Sequence, residues 1–168
     1  EIRNKLGFLD FNKMKKTISE TEQKLIIISA VASQLLERVA GASIPPGESA
    51  NAFRIDLLND YNKSRLESPN INWITSKPPS ETIDWLRNYL KGKFRSHAIS
   101  PHWLGEAQWM FLNGQPMEFV GQMKHKNKLS SNGEREVYTF GAYDEKLEKY
   151  VYRTCYQEKD ENGEVVFG

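Results

Sequence analysis

The side chains able to carry covalent or acid–base chemistry are few and far apart in the chain. One cysteine, Cys155, and three histidines, His97, His102 and His125, are present. A cysteine attacks only as a thiolate, which needs a positioned base or positive neighbour. Cys155 falls in the middle of an alternating run, where a cysteine packing as a small hydrophobe competes with a reactive one. An enzyme built on Cys155 and a histidine therefore stands as an alternative. His97 and His102 flank Pro101, but a zinc site takes three or four ligands and no second pair at helical spacing accompanies them. Neither a Gly-x-Ser-x-Gly elbow nor a glycine-rich phosphate loop occurs. The adjacent carboxylates Asp144 and Glu145, and Asp160 and Glu161, fall in expected turns and read as solvated turn charges. No catalytic residue, metal or cofactor is expected from this inventory.

Binding chemistry has more to work with. Lys124-His125-Lys126-Asn127-Lys128 reads as a basic hairpin tip, able to meet phosphate or simply to stay solvated. Tyr150, Tyr152, Thr154 and Tyr156 recur at every second position and so share one face of a strand. Tyrosine brings a large apolar area with a polar tip, a composition that suits interfaces. The same residues would equally pack beneath helices with their hydroxyls reaching water. Tyr150, Tyr152, Tyr156, Lys124 and Lys126 are the candidate partner-binding residues.

Composition narrows the class. The 168 residues are 39% hydrophobic, 27% charged and 11% aromatic, which places the chain among folded proteins rather than disordered ones. Lys plus Arg number 23 and Asp plus Glu 22, a balance that disfavours a nucleic-acid binder driven by bulk charge. A lone cysteine cannot form an intramolecular disulfide and fits a reducing, cytoplasmic setting. The longest apolar run, Leu25 to Leu36, is broken by Ser29, Ser33 and Gln34 and is too short to cross a bilayer. The acidic Ser19-Glu20-Thr21-Glu22 ahead of it is unlike a signal peptide.

The elements that position these groups fall into two halves of one domain, mainly helical over 1–97 and mainly β over 98–168. Residues 1–16 read as a short helix or an arm. Ser19-x-x-Glu22 is a capping box, and Leu25, Ile28, Ala32, Leu35 and Val39 form a helical stripe ending at Gly41. A second helix starts near Ser49 and carries Phe53, Leu57 and Tyr61 at intervals of four. Residues 71–75 read as a short strand or a loop. Ser80 is expected to cap a third helix lined by Ile83, Leu86, Leu90 and Phe94. From about residue 100 the period changes to two. Asn113-Gly114 predicts a tight hairpin turn. Met117, Phe119, Gly121 and Met123 are expected on one strand face, opposite Glu118, Val120 and Gln122. Two further strands, around Val137–Phe140 and Lys149–Gln157, and a turn at Asn162-Gly163 leading to Val165-Val166-Phe167 complete an antiparallel meander. Helices first and strands after define an α+β class.

The run from Trp109 to Met123, WMFLNGQPMEFVGQM, resembles a motif of the YwqG-like family of bacterial proteins. Asn113-Gly114-Gln115-Pro116-Met117 and Phe119-Val120-Gly121-Gln122-Met123 supply most of it, and Val137-Tyr138-Thr139-Phe140 resembles the following strand. Met110 departs from the proline that often follows the tryptophan in that family. The likeness covers residues 103–142. Its physics is architectural: Asn-Gly for positive φ, Pro116 opening a strand, and Gln122 as an amide that must find partners. Trp109, Asn113, Gly114, Pro116 and Gln122 are accordingly read as structural. The family has no established reaction, and its members often lie near polymorphic toxin genes. The resemblance thus implies an immunity protein that neutralises a toxin domain by direct binding. A nucleic-acid-associated module using the 124–128 basic loop and the tyrosine strand is the alternative.

Overall fold

The computed structural model describes residues 18–126, 134–160 and 162–168. The reading of residues 1–16 and the tip of the basic hairpin lie outside them.

Helix α1, Glu20–Ala40, begins with the capping box closed in both directions. Ser19 Oγ accepts from the Glu22 amide at 3.2 Å, and Glu22 Oε2 accepts from the Ser19 amide at 3.0 Å. Gly41 ends it in the left-handed region at φ 56°, returning its N–H to Glu37. A 3-10 turn, Glu48–Ala50, then leads into helix α2, Asn51–Lys63, which buries Phe53, Leu57, Leu58 and Tyr61. Residues 71–75 are neither strand nor loop: Asn72–Thr75 form a single helical turn, α3, which buries Trp73. The Asn70 carboxamide starts it by accepting from the Asn72 amide at 3.0 Å. Helix α4, Ser80–Lys93, starts one residue earlier than a Ser80 cap requires. Pro79 holds the cap position, and its carbonyl accepts the Ile83 amide at 3.1 Å. Beside Leu86 and Leu90, Thr82 is fully buried because its hydroxyl meets the Tyr61 hydroxyl at 2.8 Å.

The β half holds a two-stranded hairpin and a four-stranded antiparallel sheet, so the chain is α+β. The hairpin pairs β1, Phe111–Leu112, with β2, Gln115–Pro116, through Asn113 and Gly114 at φ 50° and 76°. Both central residues at positive φ define the turn that matches strand twist. The sheet runs β3 (Glu118–Lys126), β4 (Glu134–Asp144), β5 (Lys149–Lys159), β6 (Val165–Phe167), in chain order. Lys124 and Lys126 therefore lie in a strand rather than in a loop.

The simple alternation expected along β3 does not hold. Phe119 pairs with Phe140 and Gly121 with Thr139, so Val120 is an extra residue in a β-bulge. One added residue exchanges the faces of everything beyond it. Met117 and Phe119 are fully buried, whereas Met123, which shares their parity, is 67% exposed. Gln122 moves to the inner face opposite Tyr138.

The core is one continuous cluster joining both halves. Phe53 of α2 meets Phe94 edge-on at 5.3 Å, Phe94 meets Trp109 at 5.5 Å, and Trp109 meets Phe140 of β4 at 5.3 Å. Such ring pairs each contribute about 0.5–1.5 kcal/mol beyond burial. Residues 95–110 cross the inner sheet face without a regular element, held by polar side chains from the strands. Gln157 Oε1 accepts from the Leu104 and Gly105 amides at 2.7 and 3.1 Å, and its Nε2 donates to Glu106 at 2.7 Å. The Tyr138 hydroxyl donates to the His102 carbonyl at 2.9 Å.

Candidate partner-binding face

The helices and the 95–110 segment cover one face of the sheet, and the opposite face carries the tyrosines. Register places Gly121 and Met123 of β3, Thr139, Gly141 and Tyr143 of β4, and Tyr150, Tyr152, Thr154 and Tyr156 of β5 on that outer face. Tyr152 is 63% exposed, Tyr143 59% and Tyr150 45%. They do not pack beneath the helices; that side of β5 belongs to Val151, Cys155 and Gln157.

Gly141 organises the patch. The Tyr150 ring lies 2.5 Å from where a Cβ on Gly141 would stand, so only glycine lets that ring cross the neighbouring strand. The Tyr150 and Tyr152 rings then meet at 5.1 Å. Glycine in the middle of a β-run was the signal available for this position, and Tyr143 would have followed from extending the alternation of β4. Tyr156 is used differently. The Arg135 guanidinium lies over its ring at 4.3 Å and donates to Glu158 Oε2 through Nε at 3.1 Å and Nη2 at 2.8 Å. Tyr156 is thereby half-covered, and this cation is already neutralised.

The structure separates the remaining candidates. Lys124 sits on the inner-face row opposite Glu136, and its ammonium lies 3.7 Å from that buried carboxylate. Lys124 and the tyrosines thus occupy opposite faces of the sheet. Lys126 pairs in register with Glu134 at the end of β3, and Lys128 lies outside the described residues.

Trp109, Asn113, Gly114, Pro116 and Gln122 stand in the framework between the hairpin and the sheet. The Trp109 indole donates to the Met117 carbonyl at 2.7 Å, while the Met117 amide donates to Met110 at 2.9 Å. A Cβ on Gly114 would stand 2.6 Å from the Ala52 Cβ, and the Gly114 carbonyl accepts from the Phe53 amide at 3.0 Å. The Asn113-Gly114 turn is thereby docked on the start of α2.

Cys155 faces inward at the edge of a groove of about 930 Å³ between the end of α1 and the 103–110 segment. Burial pushes its thiol up to about 11, and its nearest acceptor is the Gln108 carbonyl at 4.0 Å. At neutral pH this cysteine is a thiol, not a thiolate. Among the described residues no three His, Cys, Asp or Glu side chains gather to hold a metal ion. Asp144 spends its carboxylate on the turn it starts, accepting from the Lys146 and Leu147 amides at 2.9 and 3.3 Å. No described helix is long and apolar enough to cross a membrane. Comparison with protein-family models, with curated proteins and with solved structures gave no match.

Proposed function

We propose that this chain is a cytoplasmic binding protein that docks a protein partner on the outer sheet face, as an immunity protein docks a cognate toxin. One observation carries the reading: Tyr143, Tyr150 and Tyr152 stand exposed together with Met123 on a face that no described element covers. Exposed tyrosine clusters with satisfied charges around them have the makeup of an interface centre, where aromatic anchors supply most of the affinity. The resemblance of residues 109–123 to the YwqG-like family supports the toxin as partner. The test is co-expression with the toxin encoded beside the gene, with and without Tyr152→Lys. The wild-type chain is expected to protect cells and the variant to fail while still folding; protection that survives the variant would remove this face from the reading.

Among the described residues the geometry lends the nucleic-acid reading no support. It needs cations and stacking rings on one surface. Lys124 lies on the other face, and Arg135 is held by Glu158. A low-salt titration with single-stranded oligonucleotides decides it, because phosphate-driven binding would weaken steeply with added salt.

A further inference from the structure

Register cuts a furrow across the outer sheet face. Gly121, Thr139 and Thr154 stand side by side on β3, β4 and β5, so the middle row carries only small side chains or none. Met123, Val137 and Tyr156 form the row on one side of it. Glu118, Gly141 and Tyr152 form the row on the other. The Tyr150 ring lies over Gly141 and fills the gap that glycine would leave in that wall.

Gly121 is the observation that asks for an occupant. Its φ lies outside the left-handed region, and a Cβ on it would meet nothing within 4 Å. Strain and crowding explain Gly114 and Gly141, but neither explains Gly121. The bulge does not explain it either, because the extra residue is Val120. Glycine inside a strand costs stability relative to a β-branched residue, and it marks a place where another backbone comes close. No described segment comes close here. We propose that the furrow receives a proline-rich segment of the partner, laid across the strands in the polyproline II conformation with its backbone against Gly121. The proposal rests on the outer face being the docking surface, and it adds what docks there.

Dimensions and chemistry choose this occupant. Three strands about 4.8 Å apart give a floor about 10 Å long, which matches one polyproline II turn of about 9 Å. The two walls stand four residues apart, about 13 Å between backbones. Their own side chains leave too little of that width for an α-helix about 10–12 Å across. The polar groups facing the furrow are hydroxyls, from Thr139, Thr154, Tyr150 and Tyr152. The charges at its border are paired with one another, Arg135 with Glu158 and Arg95 with Glu118. A charged segment would therefore find no free counter-charge in the two walls. A proline-rich segment needs none: its carbonyls accept from hydroxyls, its missing N–H groups ask for no acceptor, and its rings pack on tyrosine. Its conformation is set before it binds, so even a shallow furrow costs it little ordering entropy.

Titration of the nitrogen-15-labelled full chain with a capped decaproline peptide, up to about 1 mM, tests the proposal by NMR. The amides of Gly121, Thr139 and Thr154 are expected to shift together and saturate, and a glycine–serine peptide of equal length should leave them unmoved. Gly121→Val fills the floor without touching a neighbour, so its urea midpoint should not fall while its affinity for decaproline drops about tenfold or more. Tyr152→Ala should lower the affinity by a similar factor. Absence of saturable shifts overturns the proposal, as does binding that Gly121→Val leaves unchanged. Saturation of the same amides by a cello-oligosaccharide or an oligothymidylate, and not by decaproline, overturns it in favour of that ligand. In the co-expression test, protection lost with Tyr152→Lys but kept with Gly121→Val would retain the docking face and remove the proline-rich segment.

Discussion

The carboxamide of Gln122 closes both backbone groups of His102: Oε1 accepts from the His102 amide at 2.7 Å, and Nε2 donates to its carbonyl at 3.3 Å. The same Nε2 lies 3.2 Å from Glu136 Oε2, so one side chain ties the irregular 95–110 segment to two strands. With Tyr138 and Gln157 it forms a polar row on the inner sheet face. That row satisfies the backbone of His102, the amides of Leu104 and Gly105 and the carbonyl of Glu106, where a stretch without helix or strand lies over the core.

Replacing Gln122 by Leu removes all three bonds and leaves the buried Glu136 carboxylate with Lys124 as its partner among the described residues. A loss of about 1–3 kcal/mol in unfolding free energy is expected, read from urea denaturation. Proteolysis should shift toward the segment around His102, since its anchor and not the aromatic core has been removed.

Gly114 offers a two-part test. Gly114→Ala places a residue with a Cβ at φ 76° and drives that Cβ into Ala52. Left-handed backbone alone costs about 1–2 kcal/mol, and the contact adds to it. Ala52→Gly in the same chain should recover only the steric part, so a double-mutant cycle should give a favourable coupling. A cycle with no coupling would mean that the hairpin does not rest on α2.

On the outer face, Tyr152→Lys and Tyr143→Ser should leave thermal stability within a few tenths of a kcal/mol, as substitutions at exposed positions do. Loss of partner binding should reach about 2 kcal/mol for Tyr152 if it is an anchor. Gly141→Val should behave differently. It displaces the Tyr150 ring, so binding and stability should fall together.

Stability should decline at alkaline pH. Burial raises Cys155 from 9.0 to about 11 and Tyr138 from 10.0 to about 12. Below 9 both groups keep their protons in the folded and unfolded chains, and their contribution is complete. As pH rises the unfolded chain ionises first, binds fewer protons, and is favoured, so stability is lost between about 9 and 12. Urea midpoints across that interval measure it, and Cys155→Ala should flatten the lower half. By the same physics, iodoacetamide should label Cys155 slowly at pH 7 and quickly only once the chain is denatured.

The sequence by itself determined the features whose cause is local. Ser19 and Glu22 lie three residues apart and close their box without help from the rest of the chain. Asn113-Gly114 accepts the positive φ angles that its turn demands. The alternation of β5 separates Tyr150 and Tyr152 from Val151 and Cys155 whatever the sheet contains. Residues 71–75 were less legible, because Asn70 starts that helical turn with a side chain that equally favours a loop. Only the tertiary structure decided the rest. The bulge at Val120 depends on aligning Phe119 with Phe140 and Gln122 with Tyr138 at once, a demand set by the partner strand. That extra residue turned Met123 outward, and the β3–β4 register set Lys124 beside Glu136, on the face away from the tyrosines. The position of each side chain along its strand is written in the chain; which neighbour it meets is settled by strand pairing, and pairing is chosen by the core as a whole.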